Sequence, residues 1–345
     1  MSATRGTRGG APGTHRLRPL GEQVVAITGG SRGIGRAAAR RMAGAGARVV
    51  VLARDEDGLV ETVRLIEQDG GTARHLVVDV TDADAVRTAV ERIEEMFGRL
   101  DTWVGNAGVL MYGRFAETRP QEFRDMLEVN LLGQIHGIQA ALPALRRAGG
   151  GALVIVTSVE AVVTLPMHSA YAASKHALEG VLDGLRRELG DEHPLISVTS
   201  VRPAVIDTPI YRHARNRMPW RPQAPPPYYS AGVVAEAIAF AATHRVRTIH
   251  AGGGGPLLVA AQRLTPGVVD AVFRRIGPGL MHTDEPDHTG GGDLRTPAPD
   301  PEATGALPRR GRDVSVHTWL AVRPPVRLLL GAAGAIWAAT RLRRR

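Results

Sequence analysis

Residues 23–42 constrain the fold more than any other stretch of this chain. Gln23 to Thr28 is a short apolar run that breaks into Gly29-Gly30-Ser31-Arg32-Gly33-Ile34-Gly35 before Arg36 to Met42 continue as a helix. A strand, a glycine-rich turn and a helix in that order open a parallel α/β sheet that binds a nucleotide. The glycines let the backbone approach a pyrophosphate, whose charge is favoured by the free N–H groups and the positive dipole end of the following helix. Thr28, Gly29, Ser31, Arg32, Gly33, Ile34 and Gly35 are therefore candidate phosphate-binding positions. Alone, such a loop is a weak signal, because glycine-rich turns join many strands to helices.

Further strands follow at the spacing such a sheet needs. Arg48 to Leu52 reads as the second strand, His75 to Val80 as the third and Asp101 to Val104 as the fourth. Gly151 to Ser158 is almost continuously apolar, as expected of a central parallel strand covered on both faces. Leu195 to Val201 and Arg247 to Ala251 complete the set, with helical stretches at Pro120 to Ala148 and Gly232 to His244.

The segment from Ser158 to Lys175, SVEAVVTLPMHSAYAASK, holds the candidate chemistry. On a helix, Tyr171 and Lys175 lie one turn apart on the same face. A free phenol has a pKa of about 10, and a cation fixed beside it favours the phenolate and draws that value toward neutral pH. Tyr171 is thus expected to act as a general acid/base. Lys175 is the only lysine in the chain, the other 42 of 43 basic residues being arginine. An ammonium point charge differs in reach and hydrogen-bond geometry from a planar guanidinium, which gives a chemical reason for the exception. Ser158, at the carboxyl end of its strand, can donate a hydrogen bond to a substrate carbonyl oxygen and orient it against Tyr171.

Composition excludes several functions. The chain has no cysteine, so disulfides, thiolate metal sites and thiol catalysis are ruled out. Its histidines show no metal-ligand spacing, so no metal is expected. Thirteen arginines and one aspartate in 1–20 and 309–345 supply more than the whole net charge of +9, leaving the body slightly acidic. That body lacks the basic footprint of a nucleic-acid binder. The first twenty residues carry arginines but no apolar stretch long enough for a secretory signal, and a cytoplasmic location is expected.

The glycine loop is spaced T-G-x-x-x-G-x-G, and with the downstream S-Y-x-x-x-K set the chain resembles the short-chain dehydrogenase/reductase family over roughly Val24 to Gly253. The resemblance implies an α/β fold: a Rossmann-like, doubly wound parallel seven-stranded sheet with helices on both faces, here with a C-terminal helical extension. It implies that Ser158, Tyr171 and Lys175 are catalytic, with Asn130 holding a water in the proton relay behind the lysine. Asp79 and Val80 fall where family members contact the adenine. Asn106, Ala107 and Gly108 are similar to the family's N-N-A-G, with Gly105 in place of the first Asn, and border the cofactor ribose. Pro203 and Thr208 resemble its P-G…T segment, with Ala204 for the glycine, and Thr208 would face the nicotinamide carboxamide. Tyr171 and Lys175 would also contact the cofactor.

The residues just past the second strand meet the adenosine ribose. An acid there would suit NAD; this chain has Ala53-Arg54, and Arg54 with Arg32 would clamp a 2′-phosphate. The expected cofactor is therefore NADP(H) in preference to NAD(H), with Asp55 as the ribose acid if the register slips by two residues. The expected activity moves a hydride between the nicotinamide and a ketone or secondary alcohol. The alternatives are an NAD-dependent alcohol dehydrogenase of the same fold and a non-catalytic cofactor-binding regulator, whose broken Ser/Tyr/Lys set is not what this sequence has. A homodimer or homotetramer is expected from the family's helix pairing.

Outside the catalytic domain, placed at 21–255, residues 1–20 read as a disordered basic arm. Pro256 to Ile276 suggests two short helices split at Pro266, within a helical extension ending at 280. Met281 to Asp313, rich in Gly, Pro, Asp and Thr without periodicity, reads as a disordered linker. In the final segment, 314–345, Leu328 to Thr340 is apolar with basic flanks and Trp337. It is too short to span a bilayer but suited to peripheral membrane contact or to docking on protein. The Pro- and Arg-rich stretch from Pro209 to Ser230 occupies the family's substrate-lid position.

Overall fold

The computed structural model describes residues 17–287, 294, 307 and 309–323. Its centre is a sheet of seven parallel strands: β1 (Val24–Thr28), β2 (Arg48–Ala53), β3 (Thr72–Val77), β4 (Thr102–Gly105), β5 (Gly151–Val156), β6 (Ile196–Pro203) and β7 (Thr248–Ala251). Their order across the sheet is β7-β6-β5-β4-β1-β2-β3. Between β1 and β4 the chain changes its direction of travel across the sheet. The connections there leave in opposite senses and open a crevice at the strands' carboxyl ends.

The apolar strands are explained by what covers them. Val25 and Ile27 of β1 pack with Ala38, Ala39 and Met42 of α1 (Gly33–Ala43), with α2 (Glu56–Gln68) and with α7 (Ala231–Ala241). Val24 and Ala26, alternating with them, face α3 (Ala83–Phe97), α5 (Gly133–Arg147) and α6 (Ser169–Glu192). Successive strand side chains point to opposite faces, so a strand covered on both sides needs an apolar residue at every position. Each buried valine removed from water contributes roughly 1.5–3 kcal/mol before chain entropy is counted. Helix α5 approaches the sheet closely because Gly137 faces Trp103: a Cβ there would lie 2.6 Å from the indole ring.

Two elements depart from the sequence expectation in ways that shape the site. The third strand begins and ends three residues earlier than expected, its last pair being Ala53 with Val77. Asp79 and Val80 lie beyond it, with Asp79 Oδ1 accepting from the Thr81 N–H at 2.9 Å to turn the chain. The Pro120 to Ala148 stretch is not one helix. It comprises α4 (Pro120–Leu127), a π-helical turn (Glu128–Leu132) and α5.

Beyond the sheet, α8 (Gly255–Leu264) and α9 (Pro266–Leu280) break at Pro266. Val259 and Val269 bury against Val159 and Val163 on the catalytic domain. Within Met281 to Asp313, expected to be disordered, the described residues include a strand, His282–Pro286, antiparallel to Trp220–Pro222. Its residues HTDEP offer no apolar alternation, so its order derives from the partner strand, the Arg221–Glu285 ion pair and the Trp220–His282 stack. Leu294, in the same segment, is buried beside Met111 and Met126. The supposed arm also ends inside the fold, where Leu17 and Leu20 pack on the core. The last helix among the described residues, α10 (Val316–Ala321), is capped by Ser315, and Thr318 Oγ1 accepts from the Gly252 N–H at 2.9 Å. Residues 1–16 and the Leu328 to Thr340 stretch lie outside the described residues.

Candidate active site

The glycine turn after β1 depends on close backbone contacts. Gly29 has φ +65°, a left-handed value that favours glycine. At Gly35 a Cβ would fall 2.1 Å from the Gly29 carbonyl oxygen, so helix α1 can start this close to the turn only with glycine there. The turn is clasped from β4. Thr28 Oγ1 accepts from the N–H groups of Asn106 (2.9 Å) and Ala107 (3.1 Å), and the Asn106 amide donates to the Thr28 carbonyl at 2.9 Å. Arg36, buried at the start of α1, donates to the Ser31 carbonyl and, at 3.0 Å, to Thr62 Oγ1. Gly29, Ser31, Arg32, Gly33 and Ile34 line the cleft beyond the turn, whereas Thr28 and Gly35 stand one layer behind it.

At the far end of the cleft, past β2 and β3, Arg32, Arg54, Asp55, Asp79 and Val80 come together. Arg32 pairs with Asp55 and also meets His213 Nε2 at 3.2 Å. Arg54 approaches Asp79 at 3.5 Å. Asp55 caps α2, accepting from the Gly58 N–H at 3.1 Å. Each guanidinium is thus paired with one of the acids, Arg32 with Asp55 and Arg54 with Asp79.

The other end is built from β5, the loop after β4 and the first turns of α6. Ser158, Tyr171 and Lys175 all line the cleft there. Ser158 hydrogen-bonds the Tyr171 phenol. The Lys175 ammonium donates to the Val156 carbonyl at 3.2 Å and lies 5.7 Å from the Tyr171 ring centroid. Burial depresses the Lys175 pKa from 10.5 to about 8, opposed by the negative charge of Glu179. Glu179 keeps its charge despite burial because Arg202 (2.8 Å), Ser200 and Thr157 (3.0 Å) donate to it.

Tyr171 behaves differently from the sequence expectation. Burial, reinforced by the Glu160 charge, pushes its phenol above the ordinary range, and only the Ser158 hydrogen bond acts the other way. The Lys175 ammonium, which donates to the Val156 carbonyl, does not offset the loss of water around the hydroxyl.

Asn130 sits in the π-helical turn, fully buried. Its Oδ1 accepts from the Val109 N–H at 2.8 Å, and its amide donates to the Val109 carbonyl (2.9 Å) and to Ser174 Oγ (3.2 Å). The side chain therefore fixes the loop carrying Gly108, whose Cβ, if present, would lie 3.8 Å from Lys175 Nζ. Single π turns inside helices recur at functional sites because the widened turn re-aims a side chain.

Over this end lies the Pro209 to Ser230 stretch. Tyr112, Leu165, Ala214, Met218 and Met281 form an apolar cluster against Tyr171 and Tyr211. Glu122 of α4 anchors the stretch, accepting from Arg215 at 3.0 Å and Arg217 at 2.8 Å. Inside the cleft, Glu160 and His168 form a buried pair, Nδ1 to Oε1 2.9 Å. Met167, just before this histidine, holds φ +67°, a left-handed conformation costing a non-glycine residue roughly 1–2 kcal/mol.

A nicotinamide dinucleotide fits this cleft. The glycine turn, Asn106, Ala107, Gly108, Pro203 and Thr208 line one cleft, and the turn is held by backbone contacts that a Cβ at Gly29 or Gly35 would break. The sequence model described as short chain dehydrogenase matches residues 23–219, more than half of the chain. The chain belongs to the short-chain dehydrogenase family. It is similar to the Bacillus subtilis protein named Uncharacterized oxidoreductase YxnA, 34% identical over 275 residues that cover 79% of this chain and 77% of that one. Among solved structures, it resembles a metagenomic short-chain oxidoreductase in complex with NADP, with 28% identity, TM-score 0.58, and 68% and 97% of the two chains covered. A Mycobacterium paratuberculosis short chain dehydrogenase bound to NAD is equally similar, with 29% identity, TM-score 0.60 and the same shares covered. As a short-chain dehydrogenase, this protein is an oxidoreductase whose fold accommodates a nicotinamide cofactor.

Several neighbours of the short-chain dehydrogenase site were not singled out in the sequence. Arg36 is one arginine among 42, and only its burial distinguishes it. Glu160 and His168 lie in the stretch between Ser158 and Tyr171, and an eight-residue separation across an irregular turn carries no pattern. Glu179 falls one helical turn beyond Lys175, the one signal that helical spacing could have supplied.

Proposed function

We propose that this short-chain dehydrogenase is NADP(H)-dependent and interconverts a ketone and a secondary alcohol. The observation that carries the reading is the meeting of Ser158, Tyr171 and Lys175 at one end of a cleft whose other end holds Arg32 and Arg54.

Bound at this cleft, the nicotinamide cofactor supplies the hydride. Ser158 donates a hydrogen bond to the substrate carbonyl oxygen and orients it. Tyr171, whose raised pKa keeps it protonated at neutral pH, gives that oxygen its proton in the reductive direction. Lys175 can return a proton to the phenolate, a downhill transfer because the phenol pKa lies above that of the ammonium, and its pKa of about 8 lets it regain that proton from solvent near working pH. Asn130 holds the loop that packs over the lysine. The apolar cluster around Tyr171 and Tyr211 excludes water and favours a substrate with an apolar body.

Preference for NADP(H) is supported by two guanidinium groups at the adenosine end, since a planar fork matches phosphate oxygens. The second reading, an NAD-dependent dehydrogenase, is favoured by Asp55, an acid lining the same end.

Consumption of NADPH and of NADH with ketones of graded size tests the proposal. Tyr171→Phe is expected to lower kcat by roughly 10²–10⁴-fold while cofactor quenching of tryptophan fluorescence persists. Full activity in that variant overturns the assignment.

A further inference from the structure

We infer that the cleft contains a second polar subsite, His168 Nε2, which accepts a hydrogen bond from a hydroxyl carried by the substrate away from its reacting carbon. This rests on the oxidoreductase reading above and narrows the substrate class to hydroxylated apolar ketones.

His168 is 3% exposed, and its Nδ1 lies 2.9 and 3.1 Å from the two oxygens of Glu160, itself 6% exposed. An ionised carboxylate can only accept, so Nδ1 carries the hydrogen, and in the neutral ring Nε2 presents a lone pair. That atom has no hydrogen-bond partner. Among the described residues lining the cleft, it is the only buried side-chain nitrogen or oxygen left so. A buried polar group without a partner is uncommon in folded proteins and calls for an explanation.

The surroundings point to a ligand. The imidazole stands edge-on between the Tyr112 ring, 4.4 Å away, and the Tyr171 ring, 6.0 Å away, so it neighbours the proposed proton donor directly. Met167 adopts a left-handed backbone conformation immediately before it, and local strain of this kind concentrates where a side chain must be aimed. Leu110, Leu165 and Ile210 belong to the apolar cluster that holds Tyr112 and Tyr171, and they offer a hydroxyl no acceptor of their own. The Glu160 carboxylate fixes the tautomer, in the way a buried acid orients a histidine elsewhere.

The test uses bicyclic ketones that carry hydrogen, hydroxyl or methoxy at each carbon of the second ring in turn, with NADPH and NADH consumption as readout. One hydroxylated isomer is expected to exceed its hydrogen and methoxy counterparts in kcat/KM by about tenfold or more, because the methyl ether cannot donate and the unsubstituted ring leaves Nε2 unpaired. In His168→Phe, which keeps an aromatic ring between the two tyrosines, that ratio is expected to fall to about one whatever the absolute rate. Equal rates for hydroxyl and methoxy isomers in the wild type overturn the subsite without any variant. A preference that survives in a folded His168→Phe overturns it too. If neither cofactor is consumed with any member of the series, the oxidoreductase reading falls and takes this inference with it.

Discussion

Asn106 and Thr28 clasp one another across the parting of the sheet. The Asn106 main-chain N–H reaches Thr28 Oγ1 at 2.9 Å while its side-chain amide reaches the Thr28 carbonyl at the same distance. The pair joins β4 to the end of β1 at the point where the glycine turn begins. Asn106→Ala keeps the first bond and removes the second. It is expected to lower stability by about 1 kcal/mol in chemical denaturation and to weaken cofactor binding several-fold in fluorescence quenching. Unchanged cofactor affinity would mean that the turn keeps its shape without the clasp.

Lys175 predicts a pH dependence of stability. Its pKa falls from 10.5 to about 8 on folding, so between those values the unfolded chain binds more protons than the native one. Stability therefore rises with pH across that interval, and below about pH 8 the buried charge is a standing cost. Lys175→Met removes the cost. The variant's advantage in melting temperature is expected to be largest at neutral pH and to shrink toward pH 10.5.

Glu122 predicts a rise of stability with pH in the acid range as well. Burial disfavours its charge, yet hydrogen bonds from Arg217, the Arg119 N–H and Arg215 outweigh burial and hold its pKa below 4.5. Its contribution is present above that value and is lost as pH falls through the lower folded value. Glu122→Gln is expected to destabilise by about 1–3 kcal/mol near neutrality, with the gap closing as the pH is lowered past 4.5 and through the lower folded pKa. Because Glu122 anchors the Pro209 to Ser230 stretch, KM should rise more than kcat falls.

Arg54 and Arg32 test cofactor choice separately. Arg54→Ala is expected to reduce the ratio of NADPH to NADH efficiency about tenfold or more by raising KM for NADPH. Arg32→Ala should do the same and also weaken the start of α2, since Arg32 pairs with Asp55, the cap of that helix. A ratio unaltered in Arg54→Ala would favour the NAD reading.

The fold was legible because a doubly covered parallel sheet leaves runs such as Val24 to Thr28 and Gly151 to Val156, which have few alternative uses. The ends of elements were less legible: β3 stops at Val77 because its ladder with β2 stops there, a fact of pairing that the sequence alone does not carry. The Ser158, Tyr171 and Lys175 positions could be read from helical spacing and strand ends. The electrostatics could not, since the direction of the Tyr171 shift is decided by burial, which spacing does not encode. His282–Pro286 was missed for a related reason. Its five polar and proline residues pair only because Trp220–Pro222 lies alongside.

The return of residues 309–323 has a consequence for dissecting the protein. Arg312 bridges to Tyr229, the Gly311 N–H donates to Asp207 Oδ2 at 3.0 Å, and Thr318 holds Gly252, so loops leaving β6 and β7 are sewn to chain well beyond residue 219, where the family match stops. The segment that the family model matches and the packed unit are thus different lengths. A fragment trimmed to the matched segment would be cut through its own seams, and its behaviour would describe the cut and not the enzyme.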